Sequence, residues 1–490
     1  MDRPIYRAEE ERDYLARGWW RDEDTLWQWL GQHAASRPDD SAVISAAGTL
    51  TWRALQERVL KVAEGLRKNG VDKGDIVAVQ LPNTPEFLVV HLAIARLGAV
   101  MCTVHMPSRG AEIEAILAHS GAKLFFNSAF PFASLEAADP LAADYPAPDS
   151  RDPFLLLYTS GTTASPKAVP HAYRTMLGNS RMGAGEHRLD SSSKILCAAP
   201  LSHLYGLYSL HCAWSVGACT ILLPAFKPDE LARTVEGERP TALWTAPAHV
   251  AACRNAGLFD KHDWSSLKLA IVSGSMAPPA LVRYFAGKLP GCAVTQLWGM
   301  TELQAALYSR PQDGTEVAAT SAGRPSPGTQ VRVGADGELQ VRGPLAFSGY
   351  YQNDAANRGA FTDDGWFRSG DLAEERNGTF AITGRIKDVI NRGGVKFNPA
   401  DVEALLDSHP KILQSAIVPM PDAVLGEKAC AFITVKPGNE APDLDEVVAY
   451  LLAKEIAKNK LPERLVVIPE MPLTPTRKII KGRLRLPEQA

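Results

Sequence analysis

The sequence predicts an α/β protein: a large N-terminal domain of helix-covered, mostly parallel sheets with a small β subdomain, followed by a small α+β domain. Up to about residue 380, short apolar runs alternate with helical patterns, as where "DIVAVQLP" precedes "EFLVVHLAIARLG" and "TALWTAP" precedes "AHVAACRNAG". The stretch from Thr320 to Asp371 is rich in Gly, Pro and Asp and contains short β segments such as "GELQVRG". After "GRIKDVINRGG" helices and strands mix, which indicates a second compact domain.

The individual elements follow from these patterns. The βα rhythm continues with "LKLAIVSGS" before "PALVRYFAGKL". In the second domain we predict a helix from Pro399 to Leu406, strands at "QSAIVPM" and "ACAFITVK", and a helix from Leu444 to about Asn459. We place the domain boundary near Lys387, which gives domains of residues 1–386 and 387–490. A chain of 490 residues with 46% hydrophobic and 22% charged residues is typical of a multidomain globular protein.

Charge and hydropathy exclude several classes of function. The net charge of −3 provides no general basic surface for nucleic acid or an anionic membrane. The first twenty residues are charged throughout and show no apolar signal segment. The most apolar stretch, Phe87 to Val104, contains His91 and Arg96 and therefore predicts a buried helix and strand rather than a membrane span. Seven cysteines without a CxxC pair fit a reducing compartment, and we expect a cytoplasmic protein.

The segment "YTSGTTASPKAV" (158–169) follows the apolar run "FLLLY" and has almost no apolar side chains of its own. Its hydroxyls, the backbone N–H groups around a glycine, and one lysine suit a phosphate group. The residues concerned are Thr159, Ser160, Gly161, Thr162, Thr163 and Lys167. A Walker loop is excluded because Pro166 stands where that pattern requires glycine. A Ser/Thr-rich surface turn is the alternative interpretation of this segment taken alone.

Four further segments extend the pattern. They are "QLWGMTEL" (296–303), "GWFRSGDLAEERNGTFAITGRIKDVI" (365–390), "NRGGVKFNPADVE" (391–403) and "PLTPTRKIIKGRLR" (472–485). Together with the 158–169 loop, they resemble in order and spacing the adenylate-forming superfamily of acyl-CoA synthetases, aryl-acid adenylating enzymes and luciferases. The stretch "INRGGVKFNPADVE" is closest to aryl-acid adenylating and alicyclic-acid CoA ligases. The resemblance spans nearly the whole chain and implies ATP, Mg²⁺ and coenzyme A as cofactors.

The resemblance implies roles for residues of the large domain. The 158–169 loop would hold the β- and γ-phosphates of ATP, Glu302 would position Mg²⁺, and Thr301 would contact the α-phosphate. Trp298 occupies a position for an aromatic residue beside adenine, although a core tryptophan is an open alternative. Gly274, Gly299 and Met300 are further predicted nucleotide-site residues. His203 matches a position near the substrate carboxylate, with a buried structural histidine as the alternative.

The resemblance also assigns residues near the domain boundary and beyond it. Asp371 would take both ribose hydroxyls and Arg385 would be a second ribose contact, whereas a turn-capping aspartate is the alternative for Asp371. Lys478 would be the catalytic lysine that bridges the substrate carboxylate and the α-phosphate. In related enzymes the small domain is mobile and rotates about a hinge, for which Lys387 is the candidate. Gly393 and Gly394 would line the thiol tunnel, with a plain β-turn as the alternative.

The chain departs from the family pattern at three positions. Ala164 and Ala168 stand where glycine is usual in the phosphate loop, and Arg477 replaces the glycine before the lysine. Alanine adopts a positive φ only at a cost, so either the loop closes more slowly or its backbone needs no glycine there. A non-catalytic protein that binds a nucleotide or an acyl adenylate is therefore one hypothesis.

The leading hypothesis is an ATP-dependent carboxylic acid:CoA ligase that forms acyl-AMP and then acyl-CoA. No Asp lies between Pro200 and Leu210 to hold the ammonium group of an amino acid, and the segments "TAPAHV" (245–250) and "SGSMA" (273–277) are small and mostly apolar. We therefore expect a small aromatic, alicyclic or medium-chain acid. The alternative acceptor is the thiol of a carrier protein. We expect a monomer or homodimer.

Overall fold

The structure is a computed structural model that describes residues 7–159, 167–474 and 478–486. Its internal contacts divide the chain into two compact units. The N-terminal unit comprises Met1–Val331 and Val341–Phe367, and the C-terminal unit comprises Arg332–Gln340 and Arg368–Ala490. The hairpin that precedes Lys387 thus groups with the C-terminal unit by its contacts. A functional boundary at Lys387 concerns motion and stays a prediction.

Helices and strands alternate along most of the described residues. The helices are α1 (Ala8–Ala16), α2 (Leu26–Ser36), α3 (Trp52–Lys68), α4 (Pro85–Arg96), α5 (Gly110–Ser120), α6 (Phe132–Glu136), α7 (Tyr173–Glu186), α8 (Leu204–Val216), α9 (Pro228–Glu238), α10 (Pro247–Asn255), α11 (Pro279–Lys288), α12 (Thr315–Thr320), α13 (Asp354–Ala360), α14 (Ala400–Leu406) and α15 (Leu444–Ala453). Single 3₁₀ turns lie at Ile386–Asp388, Lys458–Lys460 and Lys481–Arg483.

The strands are β1 (Ser41–Ser45), β2 (Gly48–Thr51), β3 (Ile76–Gln80), β4 (Val100–Thr103), β5 (Leu124–Asn127), β6 (Pro153–Tyr158), β7 (Ala168–Ala172), β8 (Lys194–Cys197), β9 (Cys219–Leu222), β10 (Ala242–Thr245), β11 (Leu269–Val272), β12 (Ala293–Met300), β13 (Gln304–Tyr308), β14 (Arg324–Pro325), β15 (Gln330–Val333), β16 (Glu338–Arg342), β17 (Phe367–Arg376), β18 (Thr379–Arg385), β19 (Ile390–Arg392), β20 (Val395–Phe397), β21 (Ile412–Asp422), β22 (Gly426–Val435) and β23 (Arg464–Val467).

Two large sheets form the N-terminal unit. One has nine strands in the order β14-β13-β12-β11-β10-β8-β9-β1-β2, and it is parallel from β12 to β1. The other has the order β5-β3-β4-β6-β7 and is parallel except for the β6–β7 pair. The predicted helix-covered, mostly parallel sheets are confirmed. Continuous burial of strands such as β3 and β10 agrees with helices on both faces.

The apolar stretch at Phe87 to Val104 forms α4 and β4, as predicted. Every residue of α4 except Glu86 is buried, including Arg96, whose guanidinium donates to the carbonyl oxygens of Tyr145 and Pro146 and lies over the Trp27 ring. These contacts satisfy a cation that burial would otherwise destabilise. In the part of the chain that the structure describes, no helix is long and apolar enough to cross a membrane.

Two further sheets contain the strands of the C-terminal unit, although the outer residues of β15 and β16 and the first residue of β17 group with the N-terminal unit. Strands β15, β16, β17 and β18 form a four-stranded sheet, which corresponds to the predicted small β subdomain. The second sheet has the order β20-β19-β22-β21, with β23 parallel to β22, and α14 and α15 contribute Val402, Leu406, Val447 and Leu451 to its core. The predicted α+β texture is confirmed.

Helix α15 is shorter than the sequence pattern suggests. We expected it to reach about Asn459, but it ends at Ala453. Glu455 adopts a left-handed φ of 59°, and the N–H of Ile456 donates back to the carbonyl oxygen of Leu451. This is the hydrogen bond of a Schellman motif, which closes a helix without glycine when an apolar residue follows. Ile456 is that residue, because it packs against the core of the unit.

His91, His171, His187 and His211 are among the histidines buried in the N-terminal unit. His91 and His211 contact each other through their Nε2 atoms at 3.0 Å, and His187 lies between Trp244 and Tyr308. Burial lowers the pKa of His91, His171 and His187 to about 3 each, and it lowers the pKa of His211 well below its usual value. All four are therefore neutral in the folded protein at neutral pH.

These histidines predict acid-sensitive folding. Their folded pKa values lie below the unfolded value of about 6.5, so their contribution to stability is complete above pH 6.5 and is lost as the pH falls toward 3. Lowering the pH from about 7.5 to about 5.5 should reduce the free energy of unfolding by about 1.4 kcal/mol per histidine, or about 5.5 kcal/mol for these four. Urea unfolding at the two pH values measures this.

Two variants sharpen the stability test. His187→Gln should reduce the pH-dependent change by about 1.4 kcal/mol, because it removes one of the histidines that stay neutral in the folded protein. His262→Gln, at a site near the surface beside Glu236, should leave that change as it is. An unfolding midpoint that is the same at both pH values would contradict the assignment.

Candidate active site

The predicted site residues of the N-terminal unit follow the carboxyl ends of neighbouring parallel strands. Thr245, the last residue of β10, lies opposite Val272, the last residue of β11, and Val272 lies opposite Gln296 of β12. The segments that leave these strands contain Gly274 and the 301–302 turn, and the segment after β8 contains His203. Because parallel strands end at one edge of a sheet, these residues share the edge at which open α/β sheets bind ligands.

The β12–β13 hairpin fixes the turn that carries Thr301 and Glu302. Gly299 lies opposite Ala305 and Met300 opposite Gln304, next to a bulge at Trp298. A Cβ atom at Gly299 would lie 1.8 Å from the carbonyl oxygen of Gln304, so only glycine allows this close approach. The glycine predicted at the nucleotide site thus has a structural requirement of its own.

Glu302 is buried and is held by one neighbouring segment. Its Oε1 accepts a hydrogen bond from the Tyr350 hydroxyl at 2.8 Å, and its carbonyl oxygen accepts one from the N–H of Phe347 at 3.0 Å. Burial, and then the nearby Glu302 carboxylate, raise the pKa of the Tyr350 phenol, which therefore stays a donor. The Lys167 ammonium lies 4.7 Å from the centroid of the same ring.

The donor set around Glu302 suits Mg²⁺ that arrives with a nucleotide. The described residues contain no group of three or more His, Cys, Asp or Glu side chains that could hold a metal ion. Mg²⁺ commonly binds through one or two carboxylates together with substrate phosphates rather than in an all-protein cage. A buried carboxylate next to the Thr301 hydroxyl, with a lysine nearby, fits that mode.

His203 lies beside a second histidine that the sequence did not single out. It is the N-cap residue of α8, and its Nδ1 accepts from the N–H of Tyr205 at 3.3 Å. The His105 ring lies 6.0 Å from it, centroid to centroid, and His105 Nδ1 lies 3.1 Å from the Ser202 hydroxyl. Burial lowers the pKa of His105, which keeps this imidazole neutral.

In the C-terminal unit, Asp371 and Arg385 face each other across the β17–β18 pair. Arg385 Nε lies 2.9 Å from Asp371 Oδ1, and the two residues are direct partners in the strand register. Asp371 is 7% exposed and lies within a strand, so the alternative of an aspartate that caps a turn does not describe it. A buried carboxylate beside a guanidinium can accept hydrogen bonds from hydroxyl groups.

Lys478 belongs to the same group of charges. Removal from water, and then the nearby Arg385, lower the pKa of its ammonium to about 8, although Asp371 opposes the shift. Its N–H donates to the Thr474 hydroxyl at 2.9 Å. The structure therefore brings together Asp371, Arg385 and Lys478, which the sequence predicted from segments a hundred residues apart. A lysine pKa lowered to near 8 is typical of a residue in a functional site.

The two predicted glycines form a tight hairpin turn. Gly393 and Gly394, with φ of 61° and 88°, connect β19 and β20. This is the backbone that two-residue hairpins favour, so the β-turn explains both glycines. A role in admitting a thiol stays a prediction. Lys387 lies in the exposed single turn Ile386–Asp388 between β18 and β19, and its hinge role also stays a prediction.

The remaining predicted residues have varied outcomes. Ser160, Gly161, Thr162, Thr163 and the departures Ala164 and Arg477 lie outside the described residues. Thr159, Trp298 and Met300 are partly exposed, so Trp298 is not enclosed like a core tryptophan. Ala168 lies in β7 opposite Tyr158 and has no positive φ, which explains why glycine is not needed there.

The family of the chain follows from comparison with known proteins. A model described as AMP-binding enzyme matches residues 30–351, and one described as AMP-binding enzyme C-terminal domain matches residues 401–478. The chain belongs to the AMP-binding enzyme family. It is an adenylate-forming acid ligase, as the resemblance predicted, and it binds adenine nucleotide.

Three similar proteins illustrate the range of this family. The medium-chain fatty-acid–CoA ligase of Escherichia coli (strain K12) is 29% identical over 98% of this chain and 93% of its own. The 2,3-dihydroxybenzoate-AMP ligase of Bacillus subtilis (strain 168) is 30% identical over 96% of this chain and 95% of its own. The ATP-bound structure of MatB from Rhodopseudomonas palustris covers 94% of this chain and 98% of its own, with 25% identity and a TM-score of 0.85.

Sequence reasoning missed Tyr350 and His105. Tyr350 is 48 residues from Glu302 in the chain, and no local pattern connects them. His105 follows β4 directly, and its place at the carboxyl end of a parallel strand was a usable signal.

The lowered pKa of Lys478 predicts an alkaline limit to adenylation. The charged form dominates below pH 8, so kcat/KM for ATP should be level there and should fall about tenfold per pH unit above about 8. Lys478→Arg should be slower but level across this range, because arginine stays protonated. ATP–pyrophosphate exchange between about pH 6.5 and about pH 9.5 measures both enzymes.

Lys481→Arg is the matched control for this experiment. Lys481 is three residues away and pairs with Glu403 at 2.7 Å, so its replacement should preserve the alkaline limb. An alkaline limb that persists in Lys478→Arg would assign the titration to another group.

Proposed function

We propose that the protein is an ATP-dependent carboxylic acid:CoA ligase for a small aromatic, alicyclic or medium-chain acid. The observation that carries the proposal is the grouping of Asp371, Arg385 and Lys478, a buried carboxylate with a guanidinium and a desolvated lysine. The ribose of a nucleotide needs the buried carboxylate to accept its hydroxyl hydrogen bonds. The pentavalent phosphate that forms when a substrate carboxylate attacks needs the positive charge of the lysine. The family relationship supports the same chemistry.

The first half-reaction joins the acid to AMP. The substrate carboxylate attacks the α-phosphorus of ATP, and the bond to pyrophosphate breaks. Lys478 stabilises the negative charge shared by the carboxylate and the α-phosphate, while Asp371 and Arg385 hold the ribose. Lys167 and the 158–169 loop neutralise the leaving pyrophosphate. Glu302 and Thr301 would hold Mg²⁺, which supplies positive charge to the phosphates when bound.

The second half-reaction transfers the acyl group to sulfur. The CoA thiol loses its proton, its sulfur attacks the acyl carbonyl carbon, and AMP leaves with the electrons of the broken C–O bond. The Gly393–Gly394 turn carries no side chains, which would leave room for a pantetheine arm. The charged groups that act in the first step are not part of this turn. We therefore infer a rotation about Lys387 between the two steps.

The nature of the acid follows from the residues at the carboxyl edge of the nine-stranded sheet. Residues 200–210 contain no acidic side chain, and burial keeps His105 neutral. An ammonium group on the substrate would be costly to bury among such residues, whereas an uncharged aryl or alkyl group would not. His203 would lie near the substrate carboxylate. The medium-chain fatty-acid–CoA ligase relative supports an acid of this kind.

A carrier-protein thiol is the second candidate acceptor. The 2,3-dihydroxybenzoate-AMP ligase relative is named for adenylation alone, and the first half-reaction is common to both acceptors. Only the thiol that consumes the acyl adenylate separates the two functions.

The acceptor and the acid can be identified in one experiment. Purified protein with Mg-ATP, CoA and a panel of aryl, alicyclic and aliphatic acids should yield catalytic amounts of one class of acyl-CoA by mass spectrometry. Acyl-AMP in amounts equal to the enzyme, without acyl-CoA, would instead favour a carrier-protein thiol. Absence of both products with every acid would contradict the proposed chemistry.

Restricting the backbone at Lys387 should separate the half-reactions. Lys387→Pro fixes φ at this position, so thioester formation from supplied acyl-AMP should fall by about tenfold or more while adenylation changes less than about threefold. Lys387→Ala removes the charge but leaves the backbone free, and it should impair the thioester step far less than proline does. Greater loss of adenylation than of thioester formation in Lys387→Pro would show that the hinge lies elsewhere.

A further inference from the structure

One tyrosine connects two residues that the proposed function assigns to the ATP phosphates. The Tyr350 hydroxyl donates to Glu302 Oε1 at 2.8 Å, and the Lys167 ammonium lies over the same ring, 4.7 Å from its centroid. Lys167 follows β6 and precedes β7, whereas Glu302 follows β12 of the other large sheet. The Tyr350 side chain thus spans residues contributed by two different sheets of the N-terminal unit.

The backbone of Tyr350 is fixed independently of these contacts. Its N–H donates to Asn357 Oδ1 at 2.7 Å, and its carbonyl oxygen accepts from Asn357 Nδ2 at 3.1 Å. The ring is 7% exposed and packs edge-on against Phe347 at 4.8 Å. A side chain held at both its backbone and its ring has few alternative rotamers, so it can impose a position on its neighbours.

The same chain segment is anchored on either side of Tyr350. The N–H of Phe347 donates to the Glu302 carbonyl oxygen, and the N–H of Tyr351 donates to the carbonyl oxygen of Ala168, next to Lys167. The few residues between these two anchors therefore set the distance between the Glu302 turn and the start of β7. Tyr350 is the member of that segment whose side chain contacts both functional groups.

The chemistry of the phenol suits this position. A hydrogen bond from a neutral phenol to one carboxylate oxygen orients Glu302 without cancelling its negative charge. The ring face attracts an ammonium group without neutralising it, so Lys167 keeps its charge for an anion. A direct ion pair between Lys167 and Glu302 would cancel both charges, and the intervening aromatic ring opposes that pairing.

We propose that Tyr350 is a positioning residue that sets Glu302 for the Mg²⁺ of Mg-ATP and Lys167 for the phosphates. This inference rests on the proposed function. The hydroxyl acts on the metal-dependent part of ATP binding, and the ring acts on the metal-independent part. The two effects can be separated by substitution at Tyr350. Phenylalanine keeps the aromatic ring but lacks the hydroxyl, whereas leucine lacks both.

The test is the ATP affinity of the full chain by calorimetry, without an acid substrate, in EDTA and in excess Mg²⁺. Tyr350→Phe should bind ATP within about twofold of wild type in EDTA and about tenfold more weakly with Mg²⁺, since a hydrogen bond to a charged group is lost. Tyr350→Leu should bind more weakly in both conditions because Lys167 also loses its support.

Tyr351→Phe is the matched control, because Tyr351 is adjacent and its hydroxyl accepts a hydrogen bond from Gln352 Nε2 at 3.1 Å rather than contacting the phosphate-site residues. It should match wild type in both conditions. Equal weakening of Tyr350→Phe with and without Mg²⁺, or no weakening at all, would overturn the assignment. Failure of the wild-type protein to bind ATP in either condition would instead overturn the proposed function.

A double-mutant cycle gives an independent reading. If the Tyr350 hydroxyl acts through Glu302, adding Tyr350→Phe to Glu302→Gln should weaken Mg-ATP binding no further than Glu302→Gln alone. Losses that multiply would show that the tyrosine acts elsewhere. Thermal unfolding of each variant with no nucleotide present should stay close to that of the wild type, and a lower midpoint confined to Tyr350→Phe would indicate a structural role instead.

Discussion

The parallel register of β8, β10, β11 and β12 is the constraint on which the N-terminal part of the site depends. Because these strands run in one direction, they end at one edge, and each following segment begins there. The strands therefore bring the functional residues of those segments to one edge, because His203, Gly274 and Glu302 all lie in segments that follow strand ends. The Tyr205 hydroxyl reinforces this edge, since it donates to the carbonyl oxygen of Ile271 at 2.8 Å.

The C-terminal unit follows a different rule. Its Asp371 and Arg385 meet because they are register partners in an antiparallel pair, a relation that a hairpin establishes locally. Lys478 comes from near the end of the chain and joins them through tertiary packing. Burial is the main cause of the lowered pKa of Lys478, and two charges from one hairpin then act on it in opposite directions.

Much of this was predictable from the sequence, for identifiable reasons. The strands and helices of the sheets followed from apolar periodicity, and the family resemblance named the residues at the strand ends. The end of α15 was not predictable, because the apolar pattern continues past Ala453 and only the left-handed Glu455 and the packing of Ile456 stop the helix. Tyr350 escaped notice because its importance arises from a contact between distant segments, which no local pattern encodes, whereas the position of His105 after β4 was a signal that could have been used.

The segment from Pro344 to Tyr351 is attached at several points along its length. Trp20 donates to the carbonyl oxygen of Pro344, Gln304 to that of Leu345, and Phe347 and Tyr351 donate in turn to Glu302 and Ala168. The backbone of these eight consecutive residues is therefore held at several points and has little freedom to extend or shorten. These attachments use backbone atoms of the segment, so a change of side chain can leave them in place, but an inserted or deleted residue would shift every attachment beyond it. Length, rather than composition, is the quantity that this part of the molecule must preserve.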